Sequence, residues 1–331
     1  GIDPSEKEEK VQVEKNLTIW YLPMKHLGAH GFMDCKYLDP QLKALFCFGD
    51  QQIFLPHVYR WCRRRRIPFV AYVGTAHSLD SNFKSKVMNA LFAAGTLRIY
   101  KKNPVLAKTS AAKEELRQLG VPHAVIAPVG LDTAVLKKNI PADEKMRLRK
   151  EHGFEADDVI LCNVSRLSWE KRPLELIDLF LQVKGKKKFK LIIVGNGPLE
   201  EELNEKIRKN GLEKEVKIYP NVPYEKMWEI YEMSDYYLNM NKGEIFGMAI
   251  MEAVYYKTSV AAIRALGPSV TLKDMKGHKL CENDDEMAEW ITGPYPSEKD
   301  LQESSEKMAS TFTWDRCADA FLQASSEKSS R

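Results

Sequence analysis

The chain has 331 residues, of which 44% are hydrophobic, and a net charge of +4. That length allows two domains, each with its own core, and no apolar run approaches the ~18 residues of a membrane-spanning helix. The six cysteines are scattered without a C-x-x-C pair, which excludes a zinc site or a disulfide framework as the organising device and makes reduced cytosol the expected compartment.

Residues 1–15 are polar and read as an expression-tag scar or frayed tail, outside the fold. Leu17–Leu22 is a β-type run ending at Pro23. His26–Lys36 carries Gly28 and Gly31 and reads as a loop. Strands are expected at 44–48, 68–73, 105–108 and 124–127, and helices at 52–65, 83–94 and 111–119. His77 follows the strand 68–73 at its carboxyl end. Strand and helix alternate, the signature of a parallel α/β sheet. This predicts a first domain over 16–140.

Pro141–Gly153 is polar and reads as a linker. The alternation then restarts, with strands at 159–164, 190–194, 216–219, 235–239 and 259–263. Helices are expected at 174–183, 198–209, 224–233 and 248–256, and three more at 286–291, 301–310 and 314–324. A second Rossmann-like domain over 141–310 follows, and 311–331 is read as a C-terminal helix packing back toward the first domain, plus a tail. Two such domains would face a cleft and bind ligands at the carboxyl ends of their strands.

Charge divides along the same line. Residues 16–140 carry a net +11, residues 141–331 a net −5 and the tail −2, so the first domain is expected to meet something anionic. Its densest basic run is Arg60-Trp-Cys-Arg-Arg-Arg-Arg66, with Lys84, Lys86, Lys101 and Lys102 to help. A solvated helix end would explain it. Peripheral contact with an anionic membrane is the functional reading. Nucleic acid is not expected, because no recognition module accompanies the charge.

The most informative stretch is Asn241-Lys-Gly-Glu-Ile-Phe-Gly-Met-Ala-Ile-Met-Glu252. Glu244 lies before a helix that starts near Gly247, and Glu252 lies in its second turn. The amides of Phe246, Gly247, Met248 and Ala249 have no partner one turn back. With the helix dipole they make an anion site, and the flanking carboxylates could hold the hydroxyls of a sugar and of a ribose. Two glutamates at this offset are common, so alone they read as incidental on a buried amphipathic helix. Arg166 and Lys171 follow the strand 159–164 and could neutralise a diphosphate, although most such residues are solvated surface charge. Gly195-Asn-Gly197-Pro198 joins a strand to a helix, where glycine would let the backbone approach a ligand. It is not G-x-G-x-x-G, which excludes a nicotinamide site. A lone histidine such as His77 is more often a packed polar residue, and only its position suggests a role.

In this order, Ser-Arg166-Leu with Lys171, then Gly195-x-Gly197-Pro, then Glu244-x-Phe-Gly-x4-Glu252, preceded by Gly-Leu-Asp132, the pieces resemble glycosyltransferase family 4 over roughly residues 65–325. The resemblance implies the GT-B fold and retaining transfer from a nucleoside diphosphate sugar, UDP- or GDP-linked, to a glycan or lipid-linked acceptor, with neither metal nor cofactor. It implies that Arg166 and Lys171 hold the diphosphate, Glu244 the sugar and Glu252 the ribose. Amides 246–249 would contact the sugar and distal phosphate. Val222 would lie in the base-reading loop, and His77 near the anomeric carbon. The departing phosphate would accept the acceptor's proton. Lys257 and Ser259 stand where the family carries Gly and Pro, and Asn221 where it carries Gly. The opening β–α unit of the family, roughly 30 residues, has no counterpart, so the first domain is expected to be shortened. Two rivals remain open: a non-catalytic nucleotide-sugar-binding subunit, and a GT-B epimerase for which His77 is the one plausible acid or base.

Overall fold

The computed structural model describes residues 9–22, 25–27, 30–48, 54–75, 83–133 and 135–326; His77 lies outside them. The chain divides into two compact units, Gly1–Ala127 with Cys317–Arg331, and Pro128–Arg316. The division falls ahead of the predicted linker because Leu131 and Leu136 are buried in the second unit's core.

In the first unit four parallel strands run in the order Leu45–Phe48, Phe69–Val73, Val105–Ala107 and Val125–Ile126. Phe69–Val73 is buried at every position, as expected of a central parallel strand covered on both faces. The helix Leu55–Arg65 buries Leu55, Val58 and Cys62, a stripe at helical spacing. That leaves Arg60 and Arg63 to Arg66 exposed. Phe321, near the chain's end, packs on Phe46 with ring centroids 4.6 Å apart.

Part of the predicted tail is ordered. Glu9–Glu14 pairs antiparallel with Leu17–Tyr21, Val11 opposite Ile19, so Leu17–Tyr21 is not a member of the parallel sheet. Alternating β-branched residues across a two-residue turn supply the pairing. The stretch read as a loop holds a second short hairpin, Lys25–Leu27 with His30–Phe32.

The second unit is a six-stranded parallel sheet in the order Val216–Tyr219, Phe189–Val194, Val159–Val164, Tyr236–Asn239, Ser259–Ile263 and Lys279–Cys281. Alternate side chains serve two cores. Ile160, Cys162, Ile192 and Val194 face one; Leu161, Leu191 and Ile193 face the other. The polar stretch read as a linker contains the helix Glu144–Glu151. It is held by a buried arginine: Arg149 donates to the Met233 carbonyl at 2.9 Å and to Asp235 Oδ2 at 2.6 Å. Lys257 takes a left-handed φ of +59°, the backbone that glycine adopts without strain. The result is two Rossmann-like units of the GT-B class.

Candidate functional site

Three loops leave the carboxyl ends of neighbouring strands in the second unit, the usual ligand edge of a parallel sheet. The loop after Val159–Val164 carries Arg166 and then a tight turn, Trp169–Lys171. Arg166 is exposed and makes no side-chain hydrogen bond or ion pair among the described residues. Lys171 turns inward. Its Nζ donates to Glu244 Oε2 at 2.8 Å, with the two side chains 25% and 15% exposed.

The loop after Phe189–Val194 is the glycine turn. Gly195 has φ +141°, and a Cβ there would lie 1.9 Å from the Ser165 carbonyl oxygen; one on Gly197 would lie 2.4 Å from that of Leu167. Leu167 donates its amide to Asn196 O at 2.9 Å, and Leu199 donates to Leu167 O at 3.0 Å. The close approach that requires glycine is therefore to the loop of Arg166, within the chain itself. Asn196 Nδ2 also donates to the Pro220 carbonyl at 3.0 Å, tying this turn to the segment of Asn221 and Val222. Val222 packs half-buried against the core.

The loop after Tyr236–Asn239 is built by two asparagines. The Asn241 amide donates to Asn239 Oδ1 at 3.1 Å, Asn241 Oδ1 accepts from the Gly243 amide at 2.9 Å, and Asn241 Nδ2 donates to Glu244 Oε2 at 3.1 Å. Burial pushes the Glu244 carboxyl up, but the hydrogen bonds and charge of Lys171, with Asn241 and Asn239, hold it below the usual carboxylate range. Phe246 anchors the loop by packing on Phe312 at 6.0 Å. Gly247 opens the helix Met248–Tyr255 with no side-chain cap. Among the described residues the amides of Phe246, Gly247, Met248 and Ala249 have no acceptor, so the anion-binding helix mouth is open. Met248 is exposed and Ala249 half-buried.

Glu252 is 8% exposed. Its Oε2 accepts from the Tyr231 hydroxyl at 2.7 Å. Burial raises its pKa, and the Tyr231 and Tyr224 hydroxyls offset only part of that. It lines a small cavity of about 10 Å³ with Leu136, Lys137, Tyr224, Trp228 and Tyr256, room for about one water.

The structure thus joins Lys171 to Glu244, and the glycine turn to the loop of Arg166. Glu252 sits in a pocket of its own. The sequence reading missed Asn239, Asn241, Tyr231 and Gly267. Asn-x-Asn before Lys-Gly is a legible turn signal. Gly267-Pro268 marks a break but not its partner, the Glu244 carbonyl, to which the Gly267 amide donates at 2.8 Å. Nothing local points to Tyr231. Among the described residues no cluster of three His, Cys, Asp or Glu is placed to hold a metal ion.

Residues 144–308 match the family of glycosyl transferases group 1. That stretch covers most of the second unit. The chain is 26% identical over 297 residues to a D-inositol 3-phosphate glycosyltransferase of Mycobacterium avium, covering 79% of this chain and 65% of that protein. It is 24% identical over 139 residues to the alpha-monoglucosyldiacylglycerol synthase of Streptococcus pneumoniae, covering 41% of this chain and 32% of that one. The chain therefore spans less than two thirds of the length of either curated relative. Among solved structures it resembles the Anabaena protein HepE in complex with UDP and glucose, with a TM-score of 0.65 and 19% identity over 81% of this chain and 74% of that one.

Proposed function

We propose that this protein moves a sugar from a UDP- or GDP-linked donor to a hydroxyl acceptor, with retention at the anomeric carbon. The observation that carries the reading is the Lys171–Glu244 pair, 2.8 Å apart beside a helix mouth with unpartnered amides. A cation, a carboxylate and free N–H groups are the set a sugar diphosphate needs. Arg166 and Lys171 neutralise the diphosphate, and amides 246–249 hold the distal phosphate and sugar. Glu244 takes sugar hydroxyls and Glu252 the ribose, with Val222 beside the base. Gly195 and Gly197 fix the loop that carries Arg166. The leaving phosphate accepts the acceptor's proton, so no protein base is required, and positive charge comes from side chains and amides rather than a metal.

The group 1 family and the UDP-bound structural relative support the donor class. A lipid-linked or glycan acceptor is supported by the exposed arginines of Leu55–Arg65 and by the glucosyldiacylglycerol relative. Those arginines would meet the anionic cytosolic face of a membrane.

The test is nucleoside diphosphate release from a panel of UDP- and GDP-sugars with glycolipid and glycan acceptors. Glu244→Ala should slow transfer by about 10²–10³-fold, the loss seen when one preorganised polar group is removed. A chelator should leave the parent rate unchanged. A Glu244→Ala protein as fast as the parent would overturn the assignment.

A further inference from the structure

Arg172 stands next to Lys171 on a backbone that arginine does not favour. Its φ is +56° and its ψ +48°, the left-handed region that glycine enters freely and larger residues only under strain. A residue persists there when its surroundings hold it. Arg172 is held by its side chain, which is 14% exposed. The guanidinium forks onto Asp284, with Nη1 3.0 Å from Oδ1 and Nη2 2.7 Å from Oδ2. Nε donates to Glu175 Oε1 at 3.3 Å, and Nη1 reaches the Met240 carbonyl at 3.4 Å.

These partners join separate pieces of the site. Asp284 opens the helix Asp284–Thr292. Met240 joins the strand Tyr236–Asn239 to Asn241 and so to the loop of Glu244. The other end of this bridge is the turn of Lys171. Glycine would satisfy the backbone at this position with less strain. What arginine adds is the tie.

We infer that Arg172 is a positioning residue for the donor's diphosphate: it fixes the turn of Lys171 against the loop of Glu244, so that Nζ lies where the phosphates meet amides 246–249. It acts through Lys171 and need not touch the donor. This rests on the donor reading above.

The experiment titrates UDP and GDP, and in parallel uridine and guanosine, into the parent, Lys171→Ala, Arg172→Gly, Arg172→Lys and Asp284→Asn, with the melting temperature of each. Arg172→Gly should melt close to the parent, because glycine relieves the left-handed strain. Its diphosphate Kd should nevertheless rise about tenfold while the nucleoside Kd is unchanged. Arg172→Lys keeps the charge but not the planar fork, and should lose the same discrimination. Asp284→Asn breaks the fork from the other side without touching the left-handed residue, so the question stays open to test even if Arg172→Gly does not fold.

If Lys171→Ala loses diphosphate binding and the Arg172 and Asp284 variants keep it, the inference is wrong and the donor reading stands. Equal weakening of nucleoside and diphosphate would show a general structural role and also overturn it. A parent that binds neither UDP nor GDP, or a Lys171→Ala protein that binds as the parent does, removes the donor reading and the inference together.

Discussion

Glu244 and Glu252 lie eight positions apart and meet opposite electrostatic fates. For Glu244 burial is outweighed by Lys171 and two asparagines, and its pKa falls below the usual 4.5. The pair therefore contributes stability above that pH and loses it as acid protonates the folded carboxylate. Glu252 has tyrosine hydroxyls but no cation to offset its burial, and its pKa rises above 4.5. There the folded protein holds the proton more tightly than the unfolded chain. Stability accordingly falls as pH climbs from 4.5 through the folded value, and at neutral pH the buried charge is a net cost. Glu252→Gln removes that cost and keeps an acceptor for Tyr231. It should melt as high as the parent or higher at pH 7.5, with the difference shrinking toward pH 4, while nucleotide affinity falls about tenfold through loss of the ribose contact. Thermal melts at both pH values and a UDP titration check this. A Glu252→Gln protein less stable than the parent at pH 7.5 would mean that the charge is wanted for folding rather than for ligand.

At the scale of elements, the loops of the site are fastened to one another and to the segment that follows the strand Ser259–Ile263. Gly267 shows how tightly. A Cβ there would lie 2.5 Å from the Phe246 nitrogen and 2.7 Å from the Ile245 carbonyl carbon, backbone atoms that cannot swing aside. Gly267→Ala should cost about 1–3 kcal/mol, as overpacking does, measured by urea unfolding. It should also weaken donor binding beyond what the stability loss explains, because the loop that must shift carries Glu244. An unchanged urea midpoint would show that the loop has slack. The same fastening explains what could be read in advance. Strands such as Val159–Val164 are legible because β-branched and apolar runs announce a buried parallel strand. The helix Glu144–Glu151 is not: its sequence, EKMRLRKE, is charged at six of eight positions. Its anchor, Asp235, lies 86 residues from Arg149, beyond any local window. Motif order picks out Lys171 and Glu244 separately. That they neutralise each other across 73 residues is visible only in three dimensions, as is the glycine turn's use of its flexibility on Ser165.

At the scale of the whole molecule, charge is segregated along the chain. Residues 16–140 carry +11 against −5 for 141–331. Much of the excess stands on one short helix and its last turn, where Arg60, Arg63, Arg64, Arg65 and Arg66 are exposed. The Arg65 guanidinium lies 4.5 Å from the Trp61 ring, an arrangement suited to an interface with an apolar side and a wet one. Among the described residues no helix is long and apolar enough to cross a membrane. Attachment through these arginines would be electrostatic and reversible. Such attraction fades within a Debye length, about 10 Å at 0.1 M salt. The protein should therefore pellet with vesicles containing phosphatidylglycerol or phosphatidylserine and not with neutral phosphatidylcholine. Raising salt from 0.1 M to about 0.5 M should release it. Reversing three charges, Arg63→Glu, Arg64→Glu and Arg65→Glu, should weaken vesicle binding about a hundredfold or more, since each basic residue near an anionic surface contributes about a factor of five. The core positions of that helix are untouched, so the melting temperature should hold. Pelleting that is equal on neutral and anionic vesicles, or indifferent to salt, would separate the basic surface from any membrane role and point the search for an acceptor toward soluble glycans.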